Sequence, residues 1–348
     1  MMNMRRTSGL WWIGAVLVSW MAFSSSVFAQ AKPVAVAHIM KVRGKVTITS
    51  AAGKTRAARM FRSVSAGETL TVPQGATVDL GFRKVGRLER ITKPATVKIS
   101  AEGCQPATAV EAVKLDDRRR KVFSSSIARV GKFGHRVGSV VTRGSSKQLP
   151  MVTPVIQSVV LAEVPSFSWS PAKGAVSYEV IVYSGASSKR RKWSTKTDKT
   201  RAAYAGKGRA GALRPGSTYR WEVIATLKDK TVKRILPAEG TGADEKLTFT
   251  VAPKALRQES REIQQLAASK NVTFMAMAGL WYMEKRAFDD AIVVNEQLVK
   301  IQPDTDLFHA YLSRLYELAG RGTDSKVARK KAETLGYVFE TDSKKKKK

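Results

Sequence analysis

The chain has 348 residues, 61 Lys and Arg against 28 Asp and Glu, and a formal net charge of +33. Its one cysteine excludes an intramolecular disulfide, and its three scattered histidines offer no ligand cluster for a structural zinc. A hydrophobic share of 43% excludes global disorder, and the length suits two or three domains of roughly 100–150 residues.

Residues 1–29 read as a signal peptide. Arg5 and Arg6 form a positive n-region, Leu10 to Phe23 an apolar run, and Val27-Phe28-Ala29 the small-residue pattern that a signal peptidase reads. The apolar run is shorter than the roughly 20 residues that span a bilayer; an uncleaved N-terminal membrane anchor is the alternative. Cleavage after Ala29 removes the two charges of Arg5 and Arg6 from +33 and leaves +31. The expected location is the periplasm or cell envelope.

Residues 34–100 alternate short apolar runs with Gly or Pro punctuation. Lys45-Val46-Thr47-Ile48-Thr49 has the strict period two of a half-buried strand, and His38–Val42, Glu68–Val72, Ala76–Phe82 and Thr96–Ile99 read as further strands. Gly44-Lys45-Val46, Gly67-Glu68-Thr69-Leu70 and Gly75-Ala76-Thr77-Val78-Asp79-Leu80 together resemble the periplasmic FecR domain. The resemblance implies a small all-β domain. The regulatory role of that family needs a cytoplasmic segment and a spanning helix, so it does not carry over to a cleaved chain; a signalling component at the inner membrane, held by a retained N-terminal anchor or a membrane partner, is the second functional reading.

Residues 101–152 read as a linker with a short helix around Val110–Phe123 and a strand at Ser139–Thr142. Arg118, Arg119 and Arg120 form a candidate anion-binding run. Cys104 reads as an inert thiol, with pairing between chains as the other option.

Residues 153–252 return to period two. Ser166–Trp169, Ala175–Tyr183, Lys192–Ser194, Tyr219–Ala225 and Leu247–Val251 read as strands, with Trp169, Tyr178, Tyr219 and Trp221 as core. Leu213-x-Pro215-Gly216-x-x-Tyr219 resembles the tyrosine corner of fibronectin type III domains, which implies a β-sandwich of immunoglobulin-like topology. Lys189, Arg190, Arg191 and Lys192 precede Trp193. A basic hairpin carrying an exposed aromatic is a candidate grip for an acidic polymer; a solvated tip is the alternative.

After Pro253 the period becomes helical. Five helices are predicted, around Leu256–Leu266, Phe274–Trp281, Ala287–Ile301, Phe308–Leu318 and Val327–Leu335. Gly279, Tyr282, Phe288, Ala291 and Pro303 resemble a tetratricopeptide repeat, with Asn295 and Met275 departing from its usual aromatics. The resemblance implies a short, degenerate helical array over residues 253–340 that holds a protein partner. Residues 341–348, ending in five lysines, read as a disordered basic tail.

The charge is unevenly spread. Val34–Ile99 carries 13 basic and 3 acidic residues, residues 151–252 carry 17 and 8, and residues 253–343 carry 13 of each. The basicity belongs to the β half. His38, His135 and His309 lie in three separate blocks, and there is no nucleotide-binding glycine pattern or nucleophile elbow. No catalytic set, cofactor or metal site is expected. The function expected is a non-catalytic, exported envelope adaptor that joins an anionic polymer or membrane surface to a protein. A nucleic-acid binder is disfavoured, since no recognisable nucleic-acid motif accompanies the charge.

Overall fold

The computed structural model describes residues 35–82, 84–113, 152–187, 189–206, 211–235 and 247–339. The signal-peptide segment, Arg118–Arg120, the strand expected at 139–142 and the lysine tail lie outside these residues.

The first β block has ten short strands: β1 Ala35–Arg43, β2 Thr47–Thr49, β3 Thr55–Ala57, β4 Ser63–Ser65, β5 Thr69–Val72, β6 Thr77–Phe82, β7 Arg87–Ile91, β8 Ala95–Ile99, β9 Cys104–Gln105 and β10 Glu111–Val113. They form two five-stranded sheets, ordered β10-β7-β6-β1-β4 and β3-β2-β5-β8-β9. Period two decides what each strand buries. Ile48, Leu70 and Val97 from one sheet meet Ile39, Leu80 and Phe82 from the other in one core. Gly44 turns the chain between β1 and β2 at φ +79°, and a Cβ there would stand 2.9 Å from the Cβ of Ala76. Both the left-handed backbone and the close approach require glycine.

The expected linker begins too early. Val110–Val113 does not open a helix: Glu111 pairs with Arg90 and Val113 with Leu88, which makes β10 the edge strand beside β7. An open edge with matching backbone groups outweighs the weak local helix preference of the segment. The first block therefore runs to Val113 rather than to residue 100.

The second block contains β11 Val152–Thr153, β12 Ser158–Val160, β13 Ser166–Trp169, β14 Ala175–Ser184, β15 Arg191–Thr197, β16 Arg201–Ala203, β17 Thr218–Leu227, β18 Val232–Ile235 and β19 Thr248–Val251. A three-stranded sheet, β11-β13-β16, faces a sheet ordered β12-β19-β17-β14-β15, with β18 also paired to β17. Phe167, Trp169, Tyr178, Val180, Trp221 and Phe249 fill the space between them. The Tyr219 hydroxyl accepts the backbone N–H of Arg214 at 2.8 Å, the bond that the tyrosine-corner pattern implies. Tyr219→Phe strands that donor and should cost about 1 kcal/mol, read as a lower urea midpoint at unchanged m. An unchanged midpoint would remove the corner bond from the stability account.

Five helices follow: α1 Lys254–Ala268, α2 Val272–Glu284, α3 Phe288–Ile301, α4 Asp306–Leu318 and α5 Gly322–Thr334. Each packs on the next in sequence. The Asn271 side chain caps α2 by accepting the N–H of Thr273 at 3.0 Å. Every residue of α2 from Val272 to Tyr282 is buried. Such an all-round apolar helix must be surrounded, and both β blocks help to surround it. Met40, Met60, Phe61 and Leu88 from the first block, and Val155, Leu161 and Ala252 from the second, join the helical side chains in one hydrophobic core. The three blocks that read as separate domains are thus one compact unit after Pro33.

Polar contacts reinforce the joints. Arg59 Nη1 donates to Asp306 Oδ2 at 2.6 Å and to the Gly336 carbonyl at 2.7 Å. The N–H of Val159 donates to the Arg286 carbonyl at 2.8 Å. Among the described residues no helix is long and apolar enough to cross a membrane.

Candidate functional site

The outward face of the larger sheet in the second block gathers the charge. Alternation along β14, β15 and β17 sends Val180, Val182, Trp193, Trp221 and Val223 to the core side. The opposite face takes Glu179, Ile181 and Tyr183, then Arg191 and Lys196, then Arg220 and Glu222. Register sets Tyr183 beside both Arg191 and Arg220, and Arg234 of β18 beside Ile224.

Three arginines on this face pair with two carboxylates. Glu179 pairs with Arg191 at 3.5 Å. Glu222, only 5% exposed, pairs with Arg220 at 3.4 Å and Arg234 at 3.2 Å. The Tyr183 hydroxyl donates to Glu222, and the Arg220 guanidinium stacks 3.7 Å from the Tyr183 ring centroid. Burial, and then the bond to Glu222, push the Tyr183 phenol up, so it stays a neutral donor. Arg191 and Arg234 keep 58% and 56% of their side chains exposed. The tip of the β14–β15 hairpin adds Lys189 and Arg190, both exposed, and Lys192, half-buried. The face therefore keeps a positive surplus after its own carboxylates are neutralised.

Trp193 departs from the expected exposed aromatic. Its register partner is Val182, a core residue, so its ring turns inward. It stacks on Phe167 with centroids 6.0 Å apart and lies 5.1 Å from the Tyr204 ring. The indole is part of the sandwich wall. Sequence reasoning missed Lys196, Arg220, Glu222 and Arg234. Period two around Trp221 already puts Arg220 and Glu222 on the face opposite the core; only strand pairing brings Arg234 to Glu222.

The repeat-motif residues are helix contacts. A Cβ on Gly279 would stand 3.1 Å from Asn295 Nδ2, which itself donates to the Ala291 carbonyl at 2.8 Å. Tyr282 and Ala291 are buried and Phe288 is half-buried. Pro303 follows the end of α3, and its carbonyl accepts from His309 Nε2 at 2.7 Å.

Titratable groups elsewhere serve structure. Cys104 is buried, and burial, then the neighbouring Glu89, push its thiol well up, which favours the protonated form. Glu89 accepts the Cys104 N–H at 2.9 Å. Asp289 accepts the Val155 N–H at 3.2 Å at the joint between the second block and α3, and burial pushes its carboxyl up to about 6 against that bond. Among the described residues no group of three His, Cys, Asp or Glu side chains could hold a metal.

No family model matches the chain, and no curated protein matches it. Among solved structures, a human fourth FNIII domain is 17% identical, covers 35% of this chain and 96% of its own, and has a TM-score of 0.20. The fn3 domain of human collagen alpha-1(XX) chain is 19% identical, covering 29% and 98%, with a TM-score of 0.17. A beta-1,2-glucanase from Parabacteroides distasonis is 10% identical over 87% of this chain and 49% of its own, with a TM-score of 0.23. TM-scores this low add no argument of their own; the chain's own strand order and the bond at Tyr219 carry the fold description. Among the described residues the chain is a succession of mainly antiparallel β-sheets, with β12 and β19 paired in parallel, the second sandwich fibronectin-like, followed by five helices.

Proposed function

We propose that this chain is a non-catalytic, exported cell-envelope adaptor whose basic β blocks contact an anionic envelope polymer and whose helices contact a protein. In this reading the first sandwich is FecR-like and the helices are degenerate tetratricopeptide-like repeats. The signal-peptide pattern of residues 1–29 supports export, and the Gly44, Gly67 and Gly75 turns support the FecR likeness. The observation that carries the reading is the positive surplus on the face of Arg191, Lys196, Arg220 and Arg234, next to Lys189 and Arg190. A polymer with repeating negative charge would meet several cations at once, and salt would weaken that contact.

The inward faces of α2 and α4 are spent on the shared core. A protein partner would have to use outward surface, where Val293 and Ile301 on α3 are 54% and 46% exposed. Co-sedimentation with envelope polymer and protein capture, run on one set of variants, tests both halves. Lys189→Glu with Arg190→Glu and Arg234→Glu should abolish salt-sensitive polymer binding and leave protein capture intact. Val293→Glu with Ile301→Glu should do the reverse. Polymer binding equal to wild type in the first variant would overturn the assignment of the face.

A further inference from the structure

The two edges of the larger sheet in the second block differ. One edge is shared by β18, paired to β17, and by β12, which is met by backbone from the helices, since the Val159 N–H donates to the Arg286 carbonyl in the turn before α3. At the other lies β15, which spans seven residues, Arg191–Thr197, and among the described residues pairs only with β14. A strand with one side unpaired presents a row of backbone donors and acceptors to any further strand.

Its side chains decide which strand fits. From Lys189 to Arg201 the chain carries a single acidic residue, Asp198, among many cations. Arg191, Lys196, Lys189 and Lys199 are all exposed. A second copy of β15 would set like charges opposite one another, which is unfavourable. An acidic strand would turn the same cross-strand contacts into attractions. The edge is also held in shape, because Trp193 in its middle stacks on Phe167 and Tyr204. A rigid template leaves only the incoming segment to be ordered.

We propose that the outer edge of β15 docks an extended acidic peptide segment, which joins the sheet as a further strand. This inference shares Arg191, Lys196 and Lys189 with the polymer reading and adds the backbone edge of the strand, so new amide protection within β15 is the readout that separates the two.

Amide hydrogen exchange on the full chain tests it, with a blocked peptide alternating Glu and Thr as the probe. The acidic peptide should slow exchange at alternate amides within residues 191–197. The same peptide with Lys in place of Glu should not bind. Arg191→Glu with Lys196→Glu should weaken binding about tenfold, some 1.4 kcal/mol, while the exchange pattern of the uncomplexed protein stays that of wild type. Polyphosphate is the second probe. Binding of the acidic peptide without new protection in β15, as polyphosphate would give, means charge attraction alone and overturns the proposal. Equal protection by the basic peptide, or no binding, overturns it as well.

Discussion

Replacing Phe61 by Ala is expected to cost about 3–5 kcal/mol of folding stability, the range for deleting a buried aromatic ring. Phe61 is 1% exposed and belongs to the core shared by the first β block and the helices, not to the core between the two sheets of its own block. It sits at φ +60° beside β1, where its N–H donates to the Ile39 carbonyl at 2.6 Å. That turn lifts Met60 and Phe61 off the sheet and into the helical layer. The flanking Arg59 reaches Asp306 and the Gly336 carbonyl across the same joint. The loss should therefore appear as uncoupling. Urea unfolding, expected to be one transition in the wild type, should split into two in Phe61→Ala as the first block melts apart from the rest. Phe82→Ala removes a ring from the sandwich core itself and should lower stability without that split. A Phe61→Ala loss under about 1 kcal/mol, with a single unchanged transition, would contradict a shared core.

Arg90→Ala is expected to rank next, at about 3–5 kcal/mol, the cost of stranding one partner of a buried ion pair. Asp79 on β6 is 1% exposed and accepts both Arg90 Nε at 2.8 Å and Arg90 Nη2 at 2.9 Å. This bidentate fork satisfies both carboxylate oxygens. The low end of the range applies, because the Arg90 side chain is 30% exposed and water can partly replace it. Asp79→Leu together with Arg90→Met should recover most of the loss, as apolar replacements of buried pairs commonly do. Denaturant titrations of the two variants beside the wild type check the pattern. A single mutant as stable as wild type would make the pair a bystander.

Much of this protein was legible in local order. Period two around Ile48, Val180 and Trp221 marks strands because alternate side chains leave opposite faces of a strand, whatever the neighbour is. The Leu213-x-Pro215-Gly216 turn and Tyr219 lie within a few residues of each other, so their bond depends on short-range geometry. The helices were legible for the same reason, Pro303 included. Charge by block was a matter of counting, and it correctly pointed to the β half as the basic one. The candidate face was half legible: Arg220 and Glu222 follow from the alternation that buries Trp221, and Lys189 to Lys192 from a plain basic run.

What the tertiary structure decided involves partners distant in the chain. β10 has no periodicity of its own and exists because β7 offers it an edge. Trp193, next to four cations, looks like a surface aromatic until its register with Val182 turns it inward. Arg234 meets Glu222 only through strand pairing. Above all, local pattern records that α2 is apolar all round but not what surrounds it. Three blocks with their own periodicities read as three domains, because periodicity reports which residues are buried and never against what. Only the packed chain shows Met60 and Phe61 among the helices, and so a single compact body in place of separate domains on a linker.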